Sequence, residues 1–310
     1  MFKKFLSFAV IAMMVSGLFF SCKDKDDKPD PDDGKIDPST IAKDNLIAYF
    51  AFEGDGKDAI SAMTPKNTST TTVTFPEGRR GKGFQGTADG LKSGLLYALP
   101  ATSKLKNLKA FSISLWVKMV PNTIQTTDAP EQMVFHLDGN TGDWIWGNFF
   151  LLQHRNWPEG PDVQHRNYAE MDCFFWKDDA AEWRGQRGNG WFLDVTAPQW
   201  RHIICTYDNV TSKFHAYVNG VHVTAFDGTE YKGTDRKQSE NGPALGDLKF
   251  KEATNLAIGA WSVRLNGTDL LGDDWASPFK GMIDEFRIYD RALTATEVKD
   301  LYDAEVTQVN

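Results

Sequence analysis

"GMIDEFRIYDRALTATEVKDLY", residues 281–302, holds two elements side by side near the end of the chain. Its first half alternates as a strand does. Met282, Asp284, Phe286 and Ile288 fall on one face, and Ile283, Glu285, Arg287 and Tyr289 on the other. On that reading Asp284 shares a face with three apolar residues. An ionised carboxylate on a core face is expensive unless it is paired or bound to a metal. The second half reads as a helix: Thr294 and Glu297 form the T-x-x-E pattern of a capping box opening "ATEVKDLYDAE".

Upstream of this stretch, from Asn45 onward, the chain reads as strands and turns. "NLIAYFAFE", "FSISLWVKM", "EQMVFHL", "NFFLLQH", "YAEMDCFFW", "NGWFLDV", "WRHIICTYDNVTSKFHAYVNGVHVTAF" and "NLAIGAW" follow in order. Asn219-Gly220 predicts a two-residue hairpin turn, because a type I′ turn needs positive φ at both central positions. Many strands without alternating helices predict an all-β antiparallel sandwich, and the terminal helix is the single helix with a clear start signal.

Composition sets outer limits. Of 310 residues, 41% are hydrophobic and 25% charged, ordinary values for a globular chain with a large core. The formal net charge of -8 argues against nucleic acid, whose phosphates want a basic face. Ten tryptophans are many, and Trp either fills a core or stacks on a flat apolar partner. At the N-terminus, Lys3 and Lys4 precede an apolar run from Phe5 to Phe20 and then Ser21-Cys22, the order of a secretory signal. The charged stretch "KDKDDKPDPDDGKIDPST" follows, too polar to order itself. The chain thus divides into a signal over 1–21, an acidic tether over 22–44 and a folded domain over 45–310.

Two resemblances rest on these residues. "GLFFSC" resembles a bacterial lipobox, which implies lipidation at Cys22, and the acidic run after it resembles the surface-export signal of Bacteroidetes lipoproteins. "RGKGFQG", "FSISLWVK", "QWRHIICTYD", "KFHAYVNGVHV", "LAIGA" and "FKGMIDEFRIYDRALTATEVKDLY" resemble, in order, the concanavalin A-like, laminin-G-type domains of bacterial secreted proteins. That likeness covers about residues 45–305 and implies a jelly-roll sandwich with one concave sheet. It does not imply one function. The interval 138–198 matches no framework motif and reads as an insertion.

Similar jelly rolls hold a structural calcium with a Glu after the first strand and an Asp in the last. Carried over, this points to Glu53, Asp55 and Asp284, carboxylates from both chain ends of the kind Ca²⁺ takes. The competing reading gives Asp284 a buried Arg partner, Arg79 or Arg80, or backbone N–H donors. The insertion carries Trp144, Trp146, Trp157, Trp176, Trp183 and Trp191 together with His154, Arg155 and Arg184. Aromatic faces stack on sugar C–H surfaces while such polar groups orient hydroxyls; a small core internal to the insertion would use the same tryptophans.

Glu170 and Asp172 in "EMDCFF" approach the E-x-D-x-(x)-E strand of retaining glycosidases on this fold, but Phe174 and Phe175 stand where the third carboxylate belongs, and without a proton donor double displacement fails. The sequence therefore predicts an outer-membrane, surface-exposed lipoprotein, held in the membrane through its lipid alone, that binds a glycan or polysaccharide without catalysis. A glycoside hydrolase or lyase using Glu170 and Asp172 is the alternative. A protein-binding adhesion or assembly module with partners in the outer membrane is the second.

Overall fold

A computed structural model describes residues 36–66, 73–87, 93–121, 131–138, 148–154, 167–173, 190–195, 197–223, 236–237, 246–248, 253–265 and 276–307. The compact unit runs from Ile36 to Asn310. Among the described residues the strands are β1 (Leu46–Phe50), β2 (Phe84–Gln85), β3 (Leu95–Ala98), β4 (Phe111–Lys118), β5 (Glu131–Asp138), β6 (Phe149–His154), β7 (Asn167–Cys173) and β8 (Gly190–Val195). They continue with β9 (Trp200–Asp208), β10 (Lys213–Val218), β11 (Val221–His222), β12 (Arg236–Lys237), β13 (Asn255–Ile258), β14 (Ala276–Pro278) and β15 (Met282–Tyr289). A short helix α1 (Ser262–Leu265) follows β13, and α2 (Ala295–Val306) closes the chain.

The strands form two sheets. The first has the order β1-β15-β4-β9-β10-β11, with β2 on β15 and β12 on β10; the second has β3-β13-β5-β6-β7-β8, with β14 on β5. Every pairing is antiparallel except β14 with β5. Phe50, Phe111, Ile113, Cys205, Phe286 and Ile288 of the first sheet meet Tyr97, Phe135, Phe149, Leu151, Met171 and Ile258 of the second in one core. The result is the antiparallel sandwich the strand pattern predicts, in the jelly-roll form the resemblance implies.

The plain alternation read in β15 does not hold. Glu285 has φ +50° and the register with β4 shifts between Asp284 and Arg287, a bulge that resets the phase. Ile283, Phe286 and Ile288 face the core. Asp284 lies opposite Trp116, and Arg287 opposite Ser114, on the outward side. The carboxylate thus escapes the core face by one inserted residue.

That outward side is covered by α2. Val298 and Leu301 pack with Ile204, Tyr217, Tyr289, Leu293 and Ile41. Ile41 and Pro38 are buried within the stretch expected as tether, where two 3-10 turns, Pro38–Thr40 and Lys43–Asn45, lead into β1. The cap of α2 is as predicted: the Thr294 hydroxyl accepts from the Glu297 N–H, and the Glu297 carboxylate accepts from the Thr294 N–H. Asn219 (φ +51°) and Gly220 (φ +75°) make the predicted hairpin turn. Gly220 also lies against the Tyr302 ring, where a Cβ would be crowded. Cys205 is a free, buried thiol, and burial pushes its pKa up.

Candidate functional site

The second sheet turns one face to the core and one away from it. On β7, Ala169 and Met171 belong to the core, so Glu170 between them points outward. On β6, Phe150 and Leu152 point the same way. Cross-strand register sets Leu152 beside Glu170, and Glu170 beside Trp191 of β8. It also sets His136 of β5 beside Phe150, and Phe150 beside the position of Asp172. Imidazole, aromatic and carboxylate residues therefore share one face, the mix a sugar site uses.

The described side chains here are nonetheless buried: His136 1%, Phe150 1%, Leu152 2% and Glu170 3% exposed. At one end Leu96 and Ala257 pack under Ala260 and Leu265 of the α1 segment. Of the predicted ligand-binding residues, Trp144, Trp146, Trp157, Trp176, Trp183, Arg155 and Arg184 lie outside the described residues, as do the side chains of Trp191 and His154 and that of Asp172, the alternative catalytic residue beside Glu170. Cys22 lies outside them too.

Sequence reading missed a polar trio on this sheet. Ser262 Oγ donates to Asp138 Oδ2 at 2.9 Å and lies 3.0 Å from His136 Nδ1. The hydroxyl has one proton, given to Asp138, so His136 Nδ1–H donates to it. Burial pushes the His136 pKa down and keeps the ring neutral. Serine, histidine and aspartate thus meet, yet in the wrong order for a hydrolase: the imidazole does not take the serine proton, and Ser262 is fully buried.

The carboxylates expected to hold calcium stand around the loop 78–82. Asp284 Oδ2 accepts from the N–H groups of Arg79 (2.8 Å) and Arg80 (2.9 Å), and Oδ1 from that of Glu285 (2.8 Å). Glu53 Oε2 accepts from Lys82 N–H at 3.1 Å, and Asp55 Oδ1 from Lys57 N–H at 2.9 Å. Gly81 (φ +57°) lets the loop pass against Glu53, whose carboxylate a Cβ would strike. These oxygens meet N–H donors, whose positive ends stand where a cation's charge would be. Calcium needs six to eight oxygens, and among the described residues no group of three or more His, Cys, Asp or Glu side chains converges. So arranged, Glu53, Asp55 and Asp284 do not fit the ion, and the backbone-donor reading of Asp284 fits its contacts. Burial pushes the Asp284 carboxyl up to about 7, against the pull of those N–H groups.

Next to it lies a buried charge network between the first sheet and α2. Arg287 is paired with both Glu285 and Glu305, Arg80 reaches Glu285 at 3.0 Å, and Trp116 Nε1 donates to Glu305 at 2.7 Å. Tyr49 donates to Glu285 at 2.8 Å. His202, pushed down to about 3 by burial, stays neutral beside Ser114, so two arginines balance two glutamates. The charges of Glu285, Arg287 and Glu305 are met by one another and by Arg80, which makes the network a structural joint.

Residues 96–299 match the concanavalin A-like lectin/glucanases superfamily in its laminin-G-like family, and the chain belongs to it. No curated protein sequence matches the chain. Among solved structures it is similar to domain 4 of AbnA, an extracellular arabinanase from Geobacillus stearothermophilus, in complex with arabinotriose. Identity there is 23%, over 83% of this chain and 98% of that one, with a TM-score of 0.47. The binding domain of botulinum neurotoxin serotype D is 13% identical over 86% of this chain, with a TM-score of 0.52. The chain spans 52% of that domain's length, so this likeness concerns the fold alone.

Proposed function

We propose that this protein captures carbohydrate without cleaving it. Its superfamily takes in both lectins and glucanases. The observation that carries the non-catalytic reading is the burial of Glu170, 3% exposed on the strand where a glycosidase of this fold would keep its acid. A nucleophile or acid must flank the scissile bond with a second carboxylate about 5–10 Å away. Glu170 instead sits beside Leu152, one row from Phe150, below the level a polysaccharide could reach. Binding needs only stacking surface and hydrogen-bonding groups above that floor, and the tryptophans of the insertion supply the right chemistry.

The same proposal places the chain at the outer membrane, lipidated at Cys22 and facing outward. It rests on the order of charge, apolar run and cysteine at the N-terminus. One set of experiments tests the whole. The purified protein should bind on a glycan array and release no reducing sugar from the bound polysaccharide. Trp191→Ala should weaken binding by about 1–3 kcal/mol, the value of one large apolar contact. Cleavage that stops with Glu170→Gln would replace this reading by the hydrolase. Cys22→Ala should leave the membrane fraction or remain unprocessed, and a processed variant still held in the membrane would remove the anchor from the proposal.

A further inference from the structure

A different group of side chains stands at the far edge of the first sheet. The Asn219–Gly220 turn sets Val218 opposite Val221 and Tyr217 opposite His222. His215 lies two residues before Tyr217 on the same outward face, so His215 and His222 are diagonal neighbours. His215 Nδ1 and His222 Nε2 are 3.1 Å apart, their ring centroids 4.9 Å, and both residues are partly exposed. The hairpin that carries them is held from several sides. The Asn219 side chain accepts from His202 N–H at 2.9 Å, Asn219 N–H donates to the His202 carbonyl, and Gly220 packs on Tyr302.

We propose that His215 and His222 form a two-histidine site for a divalent transition-metal ion such as zinc. The argument is geometric. Two imidazole nitrogens on one ion, at about 2.0–2.1 Å each and about 90–110° apart, stand about 2.9–3.4 Å from one another. The observed 3.1 Å falls inside that span. Imidazole nitrogens are the ligands that zinc, nickel and copper prefer, and a pair fixed on strands is better placed than a pair on loops. As they stand, one ring donates its N–H to the other. Binding moves that proton to the far nitrogen of the donor ring, from Nδ1 to Nε2 on His215 or from Nε2 to Nδ1 on His222. Both facing nitrogens then offer lone pairs.

Calorimetric titration of the purified full chain with Zn²⁺ alone tests this. One ion per chain should bind, and His215→Gln and His222→Gln should each weaken it at least about tenfold, or 1.4 kcal/mol. Because both hairpin residues are partly exposed, the variants should melt near the wild type. A second probe needs no variant: Cu²⁺ on the wild type should give an electron paramagnetic resonance spectrum with hyperfine coupling to two equatorial nitrogens. No zinc binding at millimolar ion, wild-type affinity in both hairpin variants, or a copper spectrum without two nitrogens would each overturn the site.

Discussion

Asp284 illustrates how one side chain organises its surroundings without a cofactor. Three N–H donors meet it, two from a loop about 200 residues earlier in the chain. Asp284→Ala would leave those donors without their acceptor, at about 1–3 kcal/mol for each one that stays buried. The variant should therefore melt well below the wild type, while EDTA should move neither protein. A fall in the wild-type melting temperature on chelation would restore calcium to this position. The pH dependence follows from the same residue. Its folded pKa of about 7 lies above the ordinary 3.8, so the folded state holds the proton longer than the unfolded chain. Its contribution is full below about pH 4 and is lost as pH rises through about 7. Denaturant melts across that window should show a flatter pH slope in Asp284→Asn than in the wild type.

Helix α2 shows the opposite sign. Arg291 binds the Glu297 carboxylate, with bonds of 2.8 and 2.5 Å, and the Thr294 N–H adds another; together they hold its pKa down to about 2. A depressed carboxyl stabilises fully above its unfolded value near 4.5, and that support is lost as pH falls toward 2. Glu297→Gln should lose the acid-dependent part of stability between those values, read by melting at stepped pH. Thr294→Ala should lower stability by about 1 kcal/mol, the usual effect of deleting a cap. The cap was legible because capping is local: four consecutive residues contain all its donors and acceptors. The hairpin turn was legible for the same reason. The bulge at Glu285 was not, because alternation continues through it on paper and only the pairing with β4 shows the inserted residue.

At the scale of the molecule, the first sheet is closed by both ends of the folded unit, Ile41 from one and α2 from the other. Two shortened chains, one beginning at Ile36 and one at Leu46, test that packing. The one beginning at Leu46 should melt lower, because it uncovers Ile204, Tyr217 and Leu293. Equal melting of the two would show that this N-terminal segment adds nothing to the packing.

The run of strands, the all-β antiparallel class, the capped terminal helix and the Asn219–Gly220 hairpin were determined by the sequence alone, because period and turn chemistry act over a few residues; the jelly roll was implied by the family resemblance. The three-dimensional pairing decided what those elements hold. It set the phase of β15 and the partners of Asp284. It joined His136 to Ser262 and Asp138, buried Glu170, and brought His215 to His222. The turn signal does set His222 opposite Tyr217, but only the folded hairpin shows the neighbouring imidazole within reach. Contacts between residues far apart in the chain depend on register, on bulges and on what packs above each face, and no local pattern encodes these.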